Sequence, residues 1–253
     1  MRIALFTLES ALSAEAVEAF LQDHDQSVVL IGRSDPFRPG SGGPVRQAWK
    51  HLRRSGPRLL PYLAVNYGLR PAPGRLAGHG IPVVEVADVN GPAMAAAIDA
   101  ARPDLLVSLH FDQIFRAETL ALARWGGINL HPALLPRHRG PVPTIWALAE
   151  PEPCFGVTVH RLVPRIDAGA ILAQREVPLP SGTTASAAAR LLHLAGVPLL
   201  AEAIAHPMAG REAAPLTYCP FPPPDLLRHL ARQGRRLADA ADLRHALRLA
   251  RRA

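Results

Sequence analysis

Between Gly127 and Gly140 the chain reads Gly-Ile-Asn-Leu-His-Pro-Ala-Leu-Leu-Pro-Arg-His-Arg-Gly, and this stretch constrains the fold more than any other. On a strand, Asn129 and His131 lie two residues apart and so share one face. Pro132 has no N–H to give to a ladder and ends the strand at that polar pair. The result is a carboxamide beside an imidazole at a strand's C-terminal end, where open α/β sheets collect their ligands. Downstream, Phe155-Gly-Val-Thr-Val-His160 alternates, with Val157 and Val159 on one face and Thr158 and His160 on the other. A short loop then delivers Arg165-Ile-Asp-Ala-Gly-Ala-Ile-Leu172, which places Asp167 just ahead of Gly169.

The rest of the chain supplies the frame. Met1–Thr7 reads as a buried opening strand, Ser13–Leu21 as an amphipathic helix with Ser13 at its N-cap, and Ser27–Ile31 as a second strand. The turn between them carries Leu8-Glu-Ser-Ala and no G-x-G-x-x-G, which argues against a nicotinamide cofactor, and Ser41-Gly-Gly43 reads as a loop. From Pro39 to Pro73 the pattern suggests two short helices split at Ser55-Gly-Pro57, with Trp49, Tyr62 and Tyr67 in packing roles. Ile81–Val86 is a third strand, Ala93–Ala101 a helix, and Asp104–His110 a nearly all-apolar strand buried on both faces. Gln174–Pro178 follows as a strand and Thr184–His206 as a helix, which Pro198 kinks or splits at Gly196.

At 253 residues the chain is long enough for one large α/β domain and an appendage. No uncharged apolar run approaches the ~18 residues of a membrane span, so neither an anchor nor a signal segment is expected. Cys154 and Cys219 are too few for a disulfide framework and lack ligand spacing, and His110, His131, His138 and His160 show no i, i+4 pair. The expectation is a cytoplasmic protein without a metal. A net charge of +7 raises the question of nucleic acid, but most of the excess sits in arginines after Leu226, which read as the solvated face of a helical tail.

Three motifs together resemble the folate-dependent formyltransferases, a family that includes glycinamide ribonucleotide, methionyl-tRNA and amino-sugar formyltransferases. They are N-x-H-P-x-L-L-P-x-x-R-G from Asn129 to Gly140, G-V-T-V-H from Gly156 to His160, and I-D-A-G-x-I-L from Ile166 to Leu172. The fold implied is α/β, a Rossmann-like open and mostly parallel sheet with helices on both faces. Residues 1–215 would form the catalytic domain, and residues 216–253 a proline-rich crossover and an arginine-rich helical appendage.

The resemblance also implies roles. Asn129, His131 and Asp167 match the family's catalytic set, and Thr158 and His160 match positions that support it. Gln113, Ile114 and Phe115, with Val163, Arg165 and Ile166, fall where the family holds the folate donor, 10-formyltetrahydrofolate. Formyl transfer to an amine passes through a tetrahedral intermediate, which needs an oxyanion donor and a proton route from the attacking to the leaving nitrogen. An imidazolium at His131, the Asn129 amide and the Asp167 carboxylate would supply these. A lone histidine in an apolar run is more often a satisfied core residue; here the three matched positions outweigh that reading.

Two departures bear on the acceptor. Ala133 stands where the family often has serine, and Leu8–Ala11 lacks the phosphate loop of glycinamide ribonucleotide formyltransferases. The tail after Leu216 also looks too short for the tRNA-binding barrel of the methionyl-tRNA enzymes. A small-molecule amine is therefore expected, either an amino-sugar nucleotide or an amino-acid derivative such as hydroxyornithine. Arg137 and Arg139 could meet its phosphate or carboxylate, or else hold their own loop. The alternatives are a 10-formyltetrahydrofolate hydrolase, disfavoured because the chain starts directly at the first strand, and a non-catalytic RNA-binding protein using the basic tail. The apolar helices between Val45 and Tyr67 could form a homodimer interface.

Overall fold

The structure is a computed structural model and describes residues 1–38, 40, 42–72, 74–212 and 217–251. The strands are β1 (Ile3–Thr7), β2 (Val28–Ser34), β3 (Val83–Val86), β4 (Leu105–Leu109), β5 (Gly127–His131), β6 (Gly156–Arg161) and β7 (Ile171–Glu176). The α-helices are α1 (Ala14–His24), α2 (Gly43–Ser55), α3 (Leu60–Leu63), α4 (Gly74–Ala77), α5 (Pro92–Ala101), α6 (Ala117–Leu120), α7 (Pro143–Leu148), α8 (Ala185–Ala195), α9 (Val197–Ala205), α10 (Pro224–Arg232) and α11 (Ala240–Arg251). Of the expected loop Ser41–Gly43, Ser41 is outside the described set, Gly42 is the N-cap of α2 and Gly43 its first residue; the expected domain boundary at 215/216 also lies outside the described set.

One seven-stranded sheet runs in the order β3-β2-β1-β4-β5-β6-β7. The five strands from β3 to β5 are parallel, while β6 and β7 are added antiparallel. The order reverses between β1 and β4, so the C-terminal ends of β1, β4 and β5 open a crevice there. Period-two alternation divides the core. Ile3, Leu5, Val107, Leu130 and Val159 pack on one side with Phe20 of α1 and Leu199 and Leu200 of α9. Ala4, Phe6, Leu30 and Leu106 pack on the other with Met94 and Ile98 of α5. Apolar strands covered on both faces are what a parallel sheet requires.

The long apolar segment Ala185–Ala205 divides as its proline predicts. Pro198 sits in the first turn of α9, where a missing N–H costs nothing, and Gly196 joins the two helices. A Cβ on Gly196 would lie 2.5 Å from Leu130 Cδ1, so this glycine lets the junction press against β5. The 21-residue segment would suit a membrane by length and composition, but 56% of its most apolar stretch is buried inside the fold.

Two local expectations fail. Ser13 occupies the N-cap position of α1 but does not cap it; its hydroxyl accepts the Ser10 N–H and faces His110 instead. Trp49 is 60% exposed on α2 rather than packed between helices, with Val45 exposed one turn before it; Tyr62 is buried as expected. The C-terminal helices pack on the α7–α8 side, where Leu227 and Leu230 join Leu12, Tyr62, Ile145 and Leu192 in one cluster. Buried Asp242 on α11 accepts from Thr184 Oγ1 at 2.7 Å and from Arg190 at 3.2 Å, tying that helix to α8. The remaining arginines of α10 and α11 are largely on the solvent side.

Candidate active site

The site grows from the pairing of β5 with β6. Their antiparallel register places Asn129 opposite His160 and His131 opposite Thr158. Ser108, the register neighbour of Asn129 on β4, donates its hydroxyl to Asn129 Oδ1 at 2.7 Å. This orients the carboxamide, so Nδ2 faces His160 Nε2 at 3.1 Å. His160 Nδ1 lies 2.8 Å from the Arg161 carbonyl, which can only accept. Nδ1 therefore carries a hydrogen, and of the two Asn129 amide hydrogens one faces His160 and one is left over.

Asp167 sits between the two imidazoles. Its Oδ2 is 3.6 Å from His131 Nδ1, and its Oδ1 is 3.5 Å from His160 Nε2. The backbone holds Asp167 at φ +43°, and Gly140 N–H donates to Oδ2 at 3.0 Å. Burial alone would raise this carboxyl, but His131, His160 and the Gly140 N–H together bring it below its ordinary value, so it stays ionised.

His131 behaves differently from the sequence expectation. It is only 4% exposed, and burial holds it below its ordinary 6.5 despite the opposing pull of Asp167. At neutral pH the resting side chain is therefore a neutral imidazole, not the expected imidazolium. The expectation weighed the carboxylate and had no measure of the desolvation that outweighs it. Nε2 lies 3.2 Å from the His138 carbonyl and Nδ1 3.6 Å from Asp167 Oδ2, so each ring nitrogen faces an acceptor.

The surrounding residues hold the loops. Thr158 Oγ1 donates to the Ala133 carbonyl at 2.7 Å and accepts from Leu135 N and Gln174 Nε2, fixing the turn after β5. Arg139 is buried; its Nε donates to the Ile166 carbonyl and its guanidinium lies 5.7 Å from the Tyr218 ring centroid. Arg137 pairs with Glu150 at 2.7 Å. Both arginines are thus engaged by the protein itself, as in the loop-holding alternative.

A cavity of about 220 Å³ opens over Asn129, His131 and Asp167. Gln113, Ile114, Phe115, Val163, Arg165 and Ile166 all line it. Their side chains have different freedoms. The Gln113 amide is spent on Val89 N, Val86 O and Ser34 Oγ, and the Phe115 ring packs edge-on against Phe6 at 5.1 Å. Ile114 and Arg165 are exposed. Asp112, given no role from sequence, pairs with Arg38 at 2.6 Å and accepts from Ser34.

Sequence reasoning gave no site role to Ser108, His110 or His193, although His110 was weighed as a metal ligand. Ser108 is the one polar residue of the otherwise apolar β4, and that exception was the available signal. His110 Nδ1 faces Ser13 Oγ at 3.0 Å and Nε2 faces Tyr67 at 3.4 Å, while His193 stands 5.0 Å away, ring to ring. Burial drives His110 well below its ordinary value and His193 down to about 4. Among the described residues no group of three or more His, Cys, Asp or Glu is placed to hold a metal ion.

The turn after β1 is closed to anions. The N–H of Leu8 goes to His110 O, that of Glu9 to Thr7 Oγ1, that of Ser10 to Ser13 Oγ, that of Ala11 to Asn66 O, and that of Leu12 to Ser10 Oγ. Glu9, at φ +46° and 1% exposed, pairs there with Arg33 at 3.1 Å. With five amides spent and a carboxylate installed, this turn has no cradle for a phosphate.

The Asn129–His131–Asp167 cluster thus sits at the C-terminal end of β5 in an open α/β sheet. Residues 79–204 match the family described as formyl transferase, and through this segment the chain belongs to that family. A methionyl-tRNA formyltransferase of Rhodopirellula baltica is 36% identical over 182 residues, which span 70% of this chain and 54% of that relative. The chain thus spans about half the length of the relative. Among solved structures, glycinamide ribonucleotide transformylase 1 from Symbiobacterium toebii aligns with a TM-score of 0.59 at 20% identity, over 86% of this chain and 94% of that one. A sugar N-formyltransferase from a Shewanella species aligns with a TM-score of 0.58 at 20% identity, over 99% and 87%. These two show the shared fold.

Proposed function

We propose that the protein transfers a formyl group from 10-formyltetrahydrofolate to the amine of a small acceptor in the cytoplasm. The observation that carries this reading is the convergence of Asn129, His131 and Asp167 on one cavity at the C-terminal end of β5. The acceptor nitrogen attacks the formyl carbon, and the carbonyl oxygen becomes an oxyanion. The spare amide hydrogen of Asn129 is the donor for that oxygen.

Asp167, ionised, receives the proton that the attacking amine loses, and His131 Nδ1 shares it. Collapse of the intermediate breaks the bond from the formyl carbon to the folate nitrogen. The same proton then returns to that nitrogen as it leaves, so one N–C bond forms, one breaks, and charge balances. In this reading the donor ring lies against the backbone of 113–115 and the loop 163–166. Candidate acceptors are an amino-sugar nucleotide or an amino-acid derivative such as hydroxyornithine.

The test is to mix the protein with 10-formyltetrahydrofolate and follow tetrahydrofolate release, first alone and then with a panel of amino sugars and amino acids. Release that depends on one amine supports the transferase and names its acceptor. Release that needs no amine would point to a hydrolase, and the absence of both release and folate binding would overturn the reading.

A further inference from the structure

A second cavity, of about 690 Å³, adjoins the catalytic one and shares Tyr67, His110, Phe111, Asp112 and Pro141 with it. None of the proposed donor-side residues 113–115 or 163–167 lines it. Its far wall is one face of α2, where Gln47, Lys50, His51 and Arg54 follow at i, i+3, i+4 and i+7. Its other walls carry the rings of Phe37, Tyr67 and Phe221. At this volume it lies within the range of sites that hold a drug-sized ligand, and it is larger than the catalytic cavity.

The charge in this groove is unbalanced. Asp112 is its one carboxylate, and it is already paired with Arg38. Lys50 and Arg54 have no ion-pair partner among the described residues; Arg54 lies over the Phe221 ring at 5.1 Å from its centroid. His51 meets the same ring edge-on at 4.6 Å, and its Nδ1 is buried without a hydrogen-bond partner. Two cations one helical turn apart, beside aromatic faces, suit a ligand with a planar ring and a paired negative charge. The turn after β1, with its amides spent and Glu9 in place, offers that charge nothing.

Building on the formyl-transfer reading, we propose that this groove is the acceptor subsite: the acceptor amine is carried on an anionic, ring-bearing body, with Lys50 and Arg54 taking its charge and Phe221 and Tyr67 its ring. The amine end then passes Tyr67 and His110 to reach His131 and Asp167. Anion recognition is thereby moved from the β1 turn to α2.

Uridine diphosphate is a suitable probe, titrated calorimetrically at low salt into the full chain and into a Lys50→Ala/Arg54→Ala variant. Lys50 is the only lysine, so reductive methylation with labelled formaldehyde places a single side-chain NMR reporter inside the groove. The expected result is binding that shifts the Lys50 signal, weakens at least tenfold in the double variant, and weakens in Phe221→Ala. Displacement by pyrophosphate but not malonate would assign the anion to a phosphate ester, and the reverse to a carboxylate. Equal affinity in the parent and the double variant, or an unmoved Lys50 signal, would overturn the proposal. Tetrahydrofolate binding, measured in parallel, keeps the two readings apart: its loss would count against formyl transfer, whereas intact folate binding without the probe result would remove only the groove.

Discussion

The carboxamide nitrogen of Asn129 lies 3.1 Å from His160 Nε2, its register partner across β5 and β6. With Ser108 holding the oxygen end at 2.7 Å, the amide is clamped from both sides. A group that must present one N–H to a developing oxyanion gains most from such clamping, because no reorganisation is left for the reaction itself. His160→Ala should therefore lower kcat by up to about 10²-fold, the lower end of the cost of losing an oxyanion donor outright. His160→Gln, which can still accept from Asn129, should recover part of the loss. Steady-state kinetics with unchanged donor KM would check this; a wild-type rate for His160→Ala would contradict it.

The protonation of His131 sets a pH prediction. Burial lowers it and Asp167 raises it, with burial stronger. If the neutral form is active, the acid limb of kcat/KM has its midpoint below 6.5, the ordinary histidine value. Asp167→Asn removes the raising influence, so the His131 imidazole should titrate at still lower pH. An NMR titration of His131 in both proteins reads this directly. A midpoint above 6.5 in the parent would mean that the imidazolium is the resting form after all.

Buried neutral histidines also make the fold acid-sensitive. His193 is held at about 4, against 6.5 for the ordinary side chain, and His51 likewise at about 4. Between those values the unfolded chain binds protons that the folded chain refuses, so stability falls as pH drops from 6.5 toward 4. Chemical denaturation at several pH values across this window should show the loss, and His193→Gln should flatten it. A stability unchanged across the window would refute the assignment.

Gly169 is a steric necessity of the Asp167 loop. A Cβ there would run into the Arg161 carbonyl and side chain, which β6 holds in place. Gly169→Ala should cost about 1–3 kcal/mol of stability, the usual range for overpacking. Because the backbone must move to relieve the clash, Asp167 should also leave its place between the imidazoles, and kcat should fall further than stability alone explains. Thermal denaturation alongside turnover separates the two effects.

Much of this was legible in the sequence, and the rest was not for definite reasons. The apolar runs of β1 and β4 and the alternation in β6 are local properties of neighbouring residues, so these strands and the shared face of Asn129 and His131 could be read directly. Pro198 announced the break between α8 and α9 for the same reason. The contact of His160 with both Asn129 and Asp167 depends on the β5–β6 register and on a turn at φ +43°, which are tertiary facts. The neutral state of His131 sums the burial contributed by several distant segments, and the outward face of Trp49 depends on how α2 lies against Phe221 and Leu60. The closed β1 turn also escaped, since its amides are taken by residues as remote as Asn66 and His110.

The most direct measurement is tetrahydrofolate binding and donor turnover in Asp167→Asn beside the parent protein. The substitution keeps the shape of a side chain that touches His131, His160 and Gly140 but removes its charge. Folate affinity should stay within about threefold, while turnover of 10-formyltetrahydrofolate with the active amine should fall by roughly 10²–10⁴-fold, the range expected for loss of a positioned acid–base group. Near-parent turnover in this variant would contradict the assignment of Asp167, and with it the Asn129–His131–Asp167 site.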